Sequence, residues 1–302
     1  MKKNPLVSII ILHYNRFNDL LETLNNTYLI DYPNFEIILV DNGSKDIFIK
    51  KIKEIKNNLI KKIFIKKNQG SAYGHTVGMK EAKGEYLVTI DDDSFVSINS
   101  IKVLVKLFEK NENLGAVGLG MVNPNTNFNQ KDFEEEIDIE ISKDSLDNSF
   151  ESIIATSAAF FRKKCLREVN YYDLNWNWYT EDTELILKII SKGYNTINIP
   201  QIIAYHKSSL VNRNFDLMLK NSIEGTILLY FKFFPLREAF QNYFRIISFA
   251  IFNSIFNFNL KYLIFSLVPP KKLISIIKNR VYIDQNIRKK IHIPGNAIFS
   301  RK

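Results

Sequence analysis

Residues Gly84 to Phe95 read GEYLVTIDDDSF, an apolar run that ends in three consecutive carboxylates, Asp91, Asp92 and Asp93. The run predicts a buried strand because it is short, rich in strand-favouring residues and bounded by a glycine and the acidic cluster. Three ionised carboxylates this close together need a compensating cation or strongly shifted pKa values. Oxygen ligands at a strand end suit Mg²⁺ or Mn²⁺, although the triplet taken alone fits an acidic surface turn equally well.

Strand-like and helix-like segments alternate before this run. Apolar runs at residues 6–12, 35–40 and 63–65 are each followed by a helical pattern, at residues 20–28, 47–55 and 71–82. Fully apolar strands that alternate with helices predict a parallel sheet covered on both faces. We therefore expect an α/β fold with a mostly parallel central sheet.

Polar residues follow three of these predicted strands. His13 and Tyr14 follow the run at residues 6–12, Asp41 follows the run at residues 35–40, and Asp91 follows the run that begins at Gly84. The carboxyl ends of parallel strands meet at one edge of a sheet, which is where open α/β folds bind ligands. These side chains are therefore predicted to share one ligand-binding edge.

The segment Asn68-Gln69-Gly70-Ser71 predicts a glycine turn that opens a helix at the same edge. Backbone N–H groups at such a turn suit a phosphate or a ribose, although most turns of this kind are only turns. The chain has no GxGxxG after its first strand and no GxxxxGK[ST], which disfavours a dinucleotide enzyme or a P-loop ATPase.

A second acidic cluster follows three aromatic residues. Thr180 is predicted to cap a helix whose first turn holds Glu181 and Asp182, and the helix dipole alone would explain both carboxylates. The preceding aromatic residues favour a binding role, since exposed rings beside a carboxylate commonly hold a sugar or a lipid. The predicted acceptor contacts are Trp176, Trp178, Tyr179 and Glu181.

Two further residues with ligand chemistry have ordinary structural explanations. Cys165 is the single cysteine, which excludes an internal disulfide, fits a reducing cytoplasm and predicts a core residue. His206 follows a predicted strand and becomes a metal ligand only if the fold returns it to the Asp cluster.

The positive charge of the chain is concentrated near its C-terminus. The net charge is +9, but residues 207–302 hold 16 Lys and Arg against 4 Asp and Glu. This region is rich in Phe and Ile and lacks nucleic-acid-binding signatures, so an anionic membrane surface is the predicted partner, not nucleic acid. Residues 246–268 are long enough to span a bilayer, but interrupting Asn and Lys residues favour amphipathic helices lying in the interface.

Four ordered motifs within residues 5–210 resemble those of the family 2 glycosyltransferases, which have the GT-A nucleotide-binding fold. They are VSIIILHYNR, FEIILVDNGSKD, NQGSAYGHTVGMKEAKGEYLVTIDDD and YTEDTELILKIISKGYN.

The resemblance implies a role for each matched residue. Asp182 would be the general base, and Asp91 and Asp93 the Asp-x-Asp, with Asp93 the direct metal ligand. His206, 24 residues after Asp182, matches a histidine metal ligand of rhamnosyltransferase-like and galactofuranosyltransferase-like members. Asp41 would contact the nucleotide base, and the other predicted nucleotide-sugar contacts are His13, Tyr14, Asn68, Gly70, Asp91 and Asp92.

One motif departs from the family pattern. Many members have Ala-Arg-Asn where this chain has Gly74, His75 and Thr76, and the glycine-rich variant is closer to rhamnosyl-type enzymes. The donor nucleotide is therefore expected to be UDP or dTDP.

The sequence as a whole predicts a catalytic domain over residues 1–215 and a helical, basic, membrane-associating region over residues 216–302. The expected enzyme is an inverting, Mn²⁺- or Mg²⁺-dependent glycosyltransferase that uses a nucleoside-diphosphate sugar and a glycan or lipid-linked acceptor. It is expected on the cytoplasmic face of the membrane. The alternatives are an Asp-x-Asp phosphatase, a nucleotidyltransferase and a non-catalytic sugar-nucleotide or membrane-binding module.

Overall fold

The computed structural model describes residues 4–123, 158–174, 176, 180–207 and 214–290 of the chain. Trp178 and Tyr179 lie outside the described residues.

Eight described strands form one sheet: β1 (Val7–His13), β2 (Phe35–Asp41), β3 (Ile60–Phe64), β4 (Tyr86–Asp91), β5 (Ser94–Val96), β6 (Leu114–Val122), β7 (Ala158–Arg162) and β8 (Asn195–His206). Their order across the sheet is β3-β2-β1-β4-β7-β6-β8-β5. The pairs β3-β2, β2-β1, β1-β4 and β6-β8 are parallel, whereas β4-β7, β7-β6 and β8-β5 are antiparallel. The predicted α/β fold with a mostly parallel sheet is confirmed, and every antiparallel pair involves a strand that follows β4.

The described helices are α1 (Phe17–Thr27), α2 (Asp46–Glu54), α3 (Ser71–Glu81), α4 (Ser100–Lys110), α5 (Lys163–Glu168), α6 (Glu181–Ser191), α7 (Phe215–Phe233), α8 (Leu236–Phe256), α9 (Lys261–Leu267), α10 (Leu273–Lys278) and α11 (Gln285–Lys290). Helices α1, α2 and α3 connect the first four strands, as the alternating pattern predicted.

Side chains of β1 enter two apolar clusters on opposite faces of the sheet. Ile9 and Ile11 pack in a cluster that includes α1 and α4 residues, whereas Ile10 and Leu12 pack in one that includes α3 and α6 residues. Successive strand residues point to opposite faces, so a strand covered on both sides must be apolar throughout. This requirement explains the unbroken apolar run in β1.

The strand register places the predicted strand-end residues side by side. His13 lies opposite Asp41 in the β1-β2 pair, and Leu12 lies opposite Asp91 in the β1-β4 pair. The expectation that these polar residues meet at the carboxyl edge of the sheet is therefore confirmed.

Helix α7 shares a core with the sheet, although it lies beyond the predicted domain boundary at residue 215. Leu228, Leu229 and Phe233 belong to the same apolar cluster as Ile10. A Cβ atom on Gly225 would lie 1.9 Å from Thr180 Oγ1, so a larger residue there would push α7 away from the start of α6. The two-domain division remains a prediction, and the described parts of both regions share one apolar core.

The apolar stretch at residues 246–268 is divided between two helices. Helix α8 ends at Phe256 and α9 begins at Lys261. In the described part of the chain, no helix combines the length and the hydropathy required to cross a bilayer.

Candidate active site

The three carboxylates at the end of β4 have different surroundings. Asp91 is the last residue of β4, and its side chain is 34% exposed, whereas Asp92 and Asp93 are buried in the turn before β5. The acidic surface turn that the triplet alone allowed is therefore wrong, because two of its three carboxylates lie in the protein interior.

Asp92 ties the end of β4 to the end of β1. Its Oδ2 atom lies 2.8 Å from His13 Nδ1 and accepts the Tyr14 backbone N–H over 3.0 Å. Burial raises the pKa of Asp92, and the hydrogen bond from His13 and the charge of Arg16 oppose this shift. Asp92 was predicted to contact the donor, but its carboxylate is fully buried and already bonded within the protein.

Arg16 is a site residue that our sequence interpretation missed. Its guanidinium is paired with Asp92, and its Nη1 atom donates to Asp93 Oδ2 over 2.9 Å. Burial lowers the pKa of Arg16, but the charges of Asp92, Asp93 and Asp91 more than compensate and leave that pKa raised. The requirement for a cation beside three carboxylates could have indicated this residue, which directly follows His13-Tyr14-Asn15.

Asp91, Asp93 and His206 form a group of metal-ligand type. One donor atom from each residue lies within 4.8 Å of the other two, and His206 Nε2 is 3.5 Å from Asp93 Oδ1. The antiparallel pairing of β5 with β8 places Ser94 opposite His206, which returns the histidine to the Asp cluster. Two carboxylates and one imidazole, with one carboxylate buried, fit a divalent cation of the Mn²⁺ or Mg²⁺ type.

Asp41 lies opposite His13 in the β1-β2 pair. Its Oδ1 atom accepts the Ser44 N–H over 3.0 Å, whereas its Oδ2 atom lies 3.9 Å from His13 Nε2. Neither His13 Nε2 nor Asp41 Oδ2 has a hydrogen-bond partner among the described residues. Buried polar atoms are normally satisfied, so the pair offers hydrogen-bonding capacity to a ligand. Asp41 itself is 0% exposed, and its predicted contact with a nucleotide base remains a prediction.

The predicted glycine turn is held by Asn42, a second residue that sequence interpretation missed. Its Nδ2 atom donates to Asn68 Oδ1 over 3.2 Å and to the Gly70 carbonyl over 3.0 Å. Asn68 Oδ1 also accepts the Gly70 N–H over 2.9 Å, so this amide oxygen shapes the turn. Gly70 has φ of 93°, a value that favours glycine, and α3 begins at the next residue.

The second acidic cluster is connected to the first by two side chains. The Tyr172 hydroxyl donates to Asp182 Oδ1 over 2.8 Å. The rings of Tyr172 and His75 are 6.1 Å apart, and His75 Nε2 lies 3.7 Å from Asp91 Oδ1. A continuous line of side chains therefore runs from Asp182 to the predicted metal ligands.

Electrostatics also couple the two clusters. Burial raises the pKa of Tyr172 well above its ordinary value, and the charges of Asp182 and Asp91 raise it further. One phenol thus responds to carboxylates from both clusters. His75 was noted in the sequence only as a departure from the family pattern, and Tyr172 was not selected.

Glu181 points toward the start of α3. It is 7% exposed, and its Oε1 atom accepts a hydrogen bond from the Ser71 hydroxyl. Burial and the neighbouring charge of Asp182 raise the pKa of Glu181 to about 8, so this side chain is mostly protonated at pH 7. Its predicted contact with an acceptor remains a prediction.

The expected exposed aromatic platform is wrong at Trp176. This ring is 5% exposed, its Nε1 atom donates to Thr180 Oγ1 over 2.7 Å, and Lys232 Nζ lies 5.0 Å from its centre. Thr180 does precede α6, but its side chain makes no capping bond there. Trp176 therefore packs beneath the acidic cluster, and the acceptor contacts predicted for Trp178 and Tyr179 lie outside the described residues.

This mixed sheet, with helices packed on both faces and Asp91 at the end of the central strand β4, has the architecture of the GT-A class of folds. The sequence model described as "Glycosyl transferase family 2" matches residues 8–169, and the chain belongs to this family. Membership argues against the phosphatase alternative, as does the position of Asp91 on the fourth strand instead of the first.

Comparisons with curated proteins give similarity over a limited part of the chain. An uncharacterized glycosyltransferase of Rickettsia conorii is 33% identical over 105 residues, covering 35% of this chain and 17% of that protein. A poly-beta-1,6-N-acetyl-D-glucosamine synthase of Staphylococcus epidermidis is 31% identical over 112 residues, covering 37% and 27%. The matched segments thus span about a quarter or less of these relatives.

Solved structures extend the similarity to the fold of nearly the whole chain. A mannosyltransferase from Pyrobaculum calidifontis in complex with GDP-Man and Mn²⁺ has a TM-score of 0.57 and 18% identity, covering 99% of this chain and 79% of that one. S. aureus TarS in complex with UDP-GlcNAc has a TM-score of 0.60 and 18% identity, covering 94% and 83%. At this level of identity the comparison establishes the fold.

Proposed function

We propose that this protein is an inverting, metal-dependent glycosyltransferase that moves a sugar from a UDP- or dTDP-linked donor to a hydroxyl group. The acceptor would be a glycan or a polyprenyl-linked sugar in the assembly of a surface polysaccharide or glycoconjugate. The observation that carries the proposal is the line of contacts from Asp182 through Tyr172 and His75 to Asp91, which joins a candidate base to a candidate metal group.

The donor diphosphate would bind beside Asp91, Asp93 and His206, which together would hold a divalent cation. Such a cation stabilises the negative charge that develops on the leaving nucleoside diphosphate. Arg16 limits the repulsion among the carboxylates of this group through its pairs with Asp92 and Asp93. His13 and Asp41 lie opposite each other at the ends of β1 and β2, the edge at which the nucleotide would bind.

The acceptor hydroxyl would meet Asp182, whose carboxylate is half-buried and oriented by Tyr172. Asp182 takes the hydroxyl proton as the oxygen attacks the anomeric carbon, and the bond from that carbon to the diphosphate breaks. Attack from the side opposite the leaving group inverts the configuration at the anomeric carbon.

The comparisons support the substrate class. Structural neighbours were solved with UDP-GlcNAc and with GDP-Man and Mn²⁺, and a curated relative is named for poly-N-acetylglucosamine synthesis. The basic, aromatic C-terminal region supports a peripheral location on the cytoplasmic face of a membrane, where lipid-linked acceptors are available.

A thermal-shift panel tests the proposal directly. The full chain is melted with UDP- and dTDP-sugars, each with Mn²⁺, with Mg²⁺ and with chelator. Stabilisation by at least one sugar nucleotide that depends on the cation is expected, because a ligand that binds only the folded state raises the melting temperature. No shift with any donor and cation together would contradict the proposal.

A further inference from the structure

Helix α8 has the opposite burial pattern to that of a helix in a water-soluble protein. Its buried face carries mainly small or polar residues, namely Ala239, Ile246, Ala250, Asn253 and Ser254. Six of its large apolar side chains are exposed, namely Phe240, Phe244, Ile251, Phe252, Ile255 and Phe256, at 43% to 70%. A helix that faced water on this side would be expected to place these side chains inside.

The pattern continues through the connection into α9. Phe258, in the connection, is 97% exposed, and Leu260 is 67% exposed. In α9, Ser266 is fully buried, whereas Ile264 and Leu267 are 53% and 52% exposed.

The buried polar groups of the two helices are satisfied by backbone groups. Ser254 Oγ accepts the Leu263 N–H over 3.2 Å, Ser266 Oγ donates to the Leu263 carbonyl, and Asn253 Nδ2 donates to the Phe249 carbonyl. Small and polar residues inside a helix pair, with large apolar residues outside, are typical of helices that contact lipid.

The charge around the exposed face of α8 and α9 indicates the kind of membrane that this face would contact. Residues 236–280 contain seven Lys and Arg against one Glu, and Arg237, Arg245, Lys271 and Lys278 are exposed. Basic residues beside an exposed aromatic face complement anionic lipid headgroups. The same positive charge opposes the pairing of two copies of this chain through this face.

We propose that the exposed apolar residues of α8, α9 and their connection form a lipid-insertion face that enters the headgroup boundary of an anionic bilayer. This deepens the membrane-linked part of the proposed function, but binding to lipid requires neither a donor nor turnover. Failure of sugar transfer and failure of lipid binding are therefore separate results.

Flotation of the full chain with vesicles tests the proposal, with phosphatidylglycerol mixed into phosphatidylcholine in one arm and phosphatidylcholine alone in the other. The test variant combines Phe252→Ser, Phe256→Ser and Phe258→Ser. The control combines Leu29→Ser, Ile47→Ser and Leu174→Ser, which remove apolar side chains that are 59%, 59% and 52% exposed elsewhere on the protein. Thermal melting establishes that both variants fold.

The natural chain and the control are expected to float with anionic vesicles, and the test variant is expected to bind about tenfold more weakly or worse. Equal flotation of the test variant would overturn the proposal, as would a soluble dimer, seen by light scattering, that this variant dissociates. Flotation on neutral vesicles as strong as on anionic ones would overturn the assignment of an anionic surface.

Discussion

Tyr172 donates a 2.8 Å hydrogen bond to Asp182 Oδ1 from a side chain that is only 3% exposed. Burial and two neighbouring carboxylates hold the pKa of Tyr172 well above its ordinary value, so its hydroxyl stays protonated as a donor. This bond fixes the position of one oxygen of the candidate base. The hydrogen bond joins α6 to the segment that follows α5, and it holds the Asp182 carboxylate in position.

Tyr172→Phe removes this hydrogen bond without removing the ring. We expect kcat to fall about tenfold while the donor KM stays within about twofold, because only the orientation of the base changes. Tyr194→Phe is the matched control, since Tyr194 also donates to a carboxylate, Glu168, at an exposed site. A loss of donor affinity equal to the loss of turnover would contradict a positioning role.

Glu181 gives a pH dependence of stability with a defined sign. Its pKa is raised from 4.5 to about 8 by burial and by Asp182, so the folded state retains a proton that the unfolded state releases. Stability is therefore lost as the pH rises from about 4.5 through about 8.

Glu181→Gln removes this pH-dependent cost. We expect the variant to be more stable than the natural chain by a few kcal/mol at pH 9 and nearly equal to it at pH 4. Urea unfolding across this pH range measures the difference. A constant difference at all pH values would show that burial of the ionised carboxylate is not its cause.

The sequence predicted the strand ends more reliably than the side-chain contacts around them. His13, Asp41 and Asp91 follow apolar runs, and parallel pairing alone brings them together. The approach of His206 depends on the β5-β8 register, which residue spacing does not encode. The burial of Trp176 depends on packing against Thr180 and Lys232, so local aromatic composition predicted its exposure wrongly.

The residues missed in the sequence share a physical reason. Arg16 contacts Asp93 across a separation of 77 residues, and Asn42 contacts Asn68 across 26. Such contacts require the positions of two loops that only the folded sheet defines. Elements of secondary structure, by contrast, follow from local periodicity, as the agreement for α2 and α3 illustrates.

Lys232→Met tests the attachment of α7 to α6. Lys232 Nζ lies 2.6 Å from Asp173 Oδ2 and 2.7 Å from Glu184 Oε1, and Glu184 is fully buried. Removing the lysine leaves Glu184 with Lys188, whose Nζ lies 3.4 Å from Glu184 Oε2, as its remaining cation, so we expect a loss of about 1.5 to 3 kcal/mol of unfolding free energy.

Two comparisons, both measured by denaturant unfolding, isolate the cause of the stability loss in Lys232→Met. Lys220→Met in the same helix breaks an exposed 3.8 Å pair with Glu224 and is expected to cost less than about 1 kcal/mol. Adding Glu184→Gln to Lys232→Met should recover part of the loss. If the double variant is no more stable than the single one, the lost ion pair between Lys232 and Glu184 is not the cause.

Asp93→Ala tests the proposed cation group through binding alone. We expect calorimetry to show donor affinity reduced more than about 100-fold in the presence of Mn²⁺, because a buried ligand at the group is lost. Asp31→Ala, at a side chain that is 65% exposed, is the control. If donor binding by Asp93→Ala still increased with Mn²⁺, Asp93 would not be a ligand of the cation.

Asp182→Asn tests the proposed base in the reaction itself. The amide preserves shape and can accept a hydrogen bond from Tyr172, but it cannot take a proton from the acceptor hydroxyl. We therefore expect kcat to fall by about 10² to 10⁴ while donor affinity, measured by calorimetry with Mn²⁺, stays within about twofold. Asp31→Asn should leave both quantities unchanged, because its carboxylate lies at an exposed ion pair with Lys102. An Asp182→Asn protein with the natural turnover rate would exclude this residue as the base and direct attention to another carboxylate.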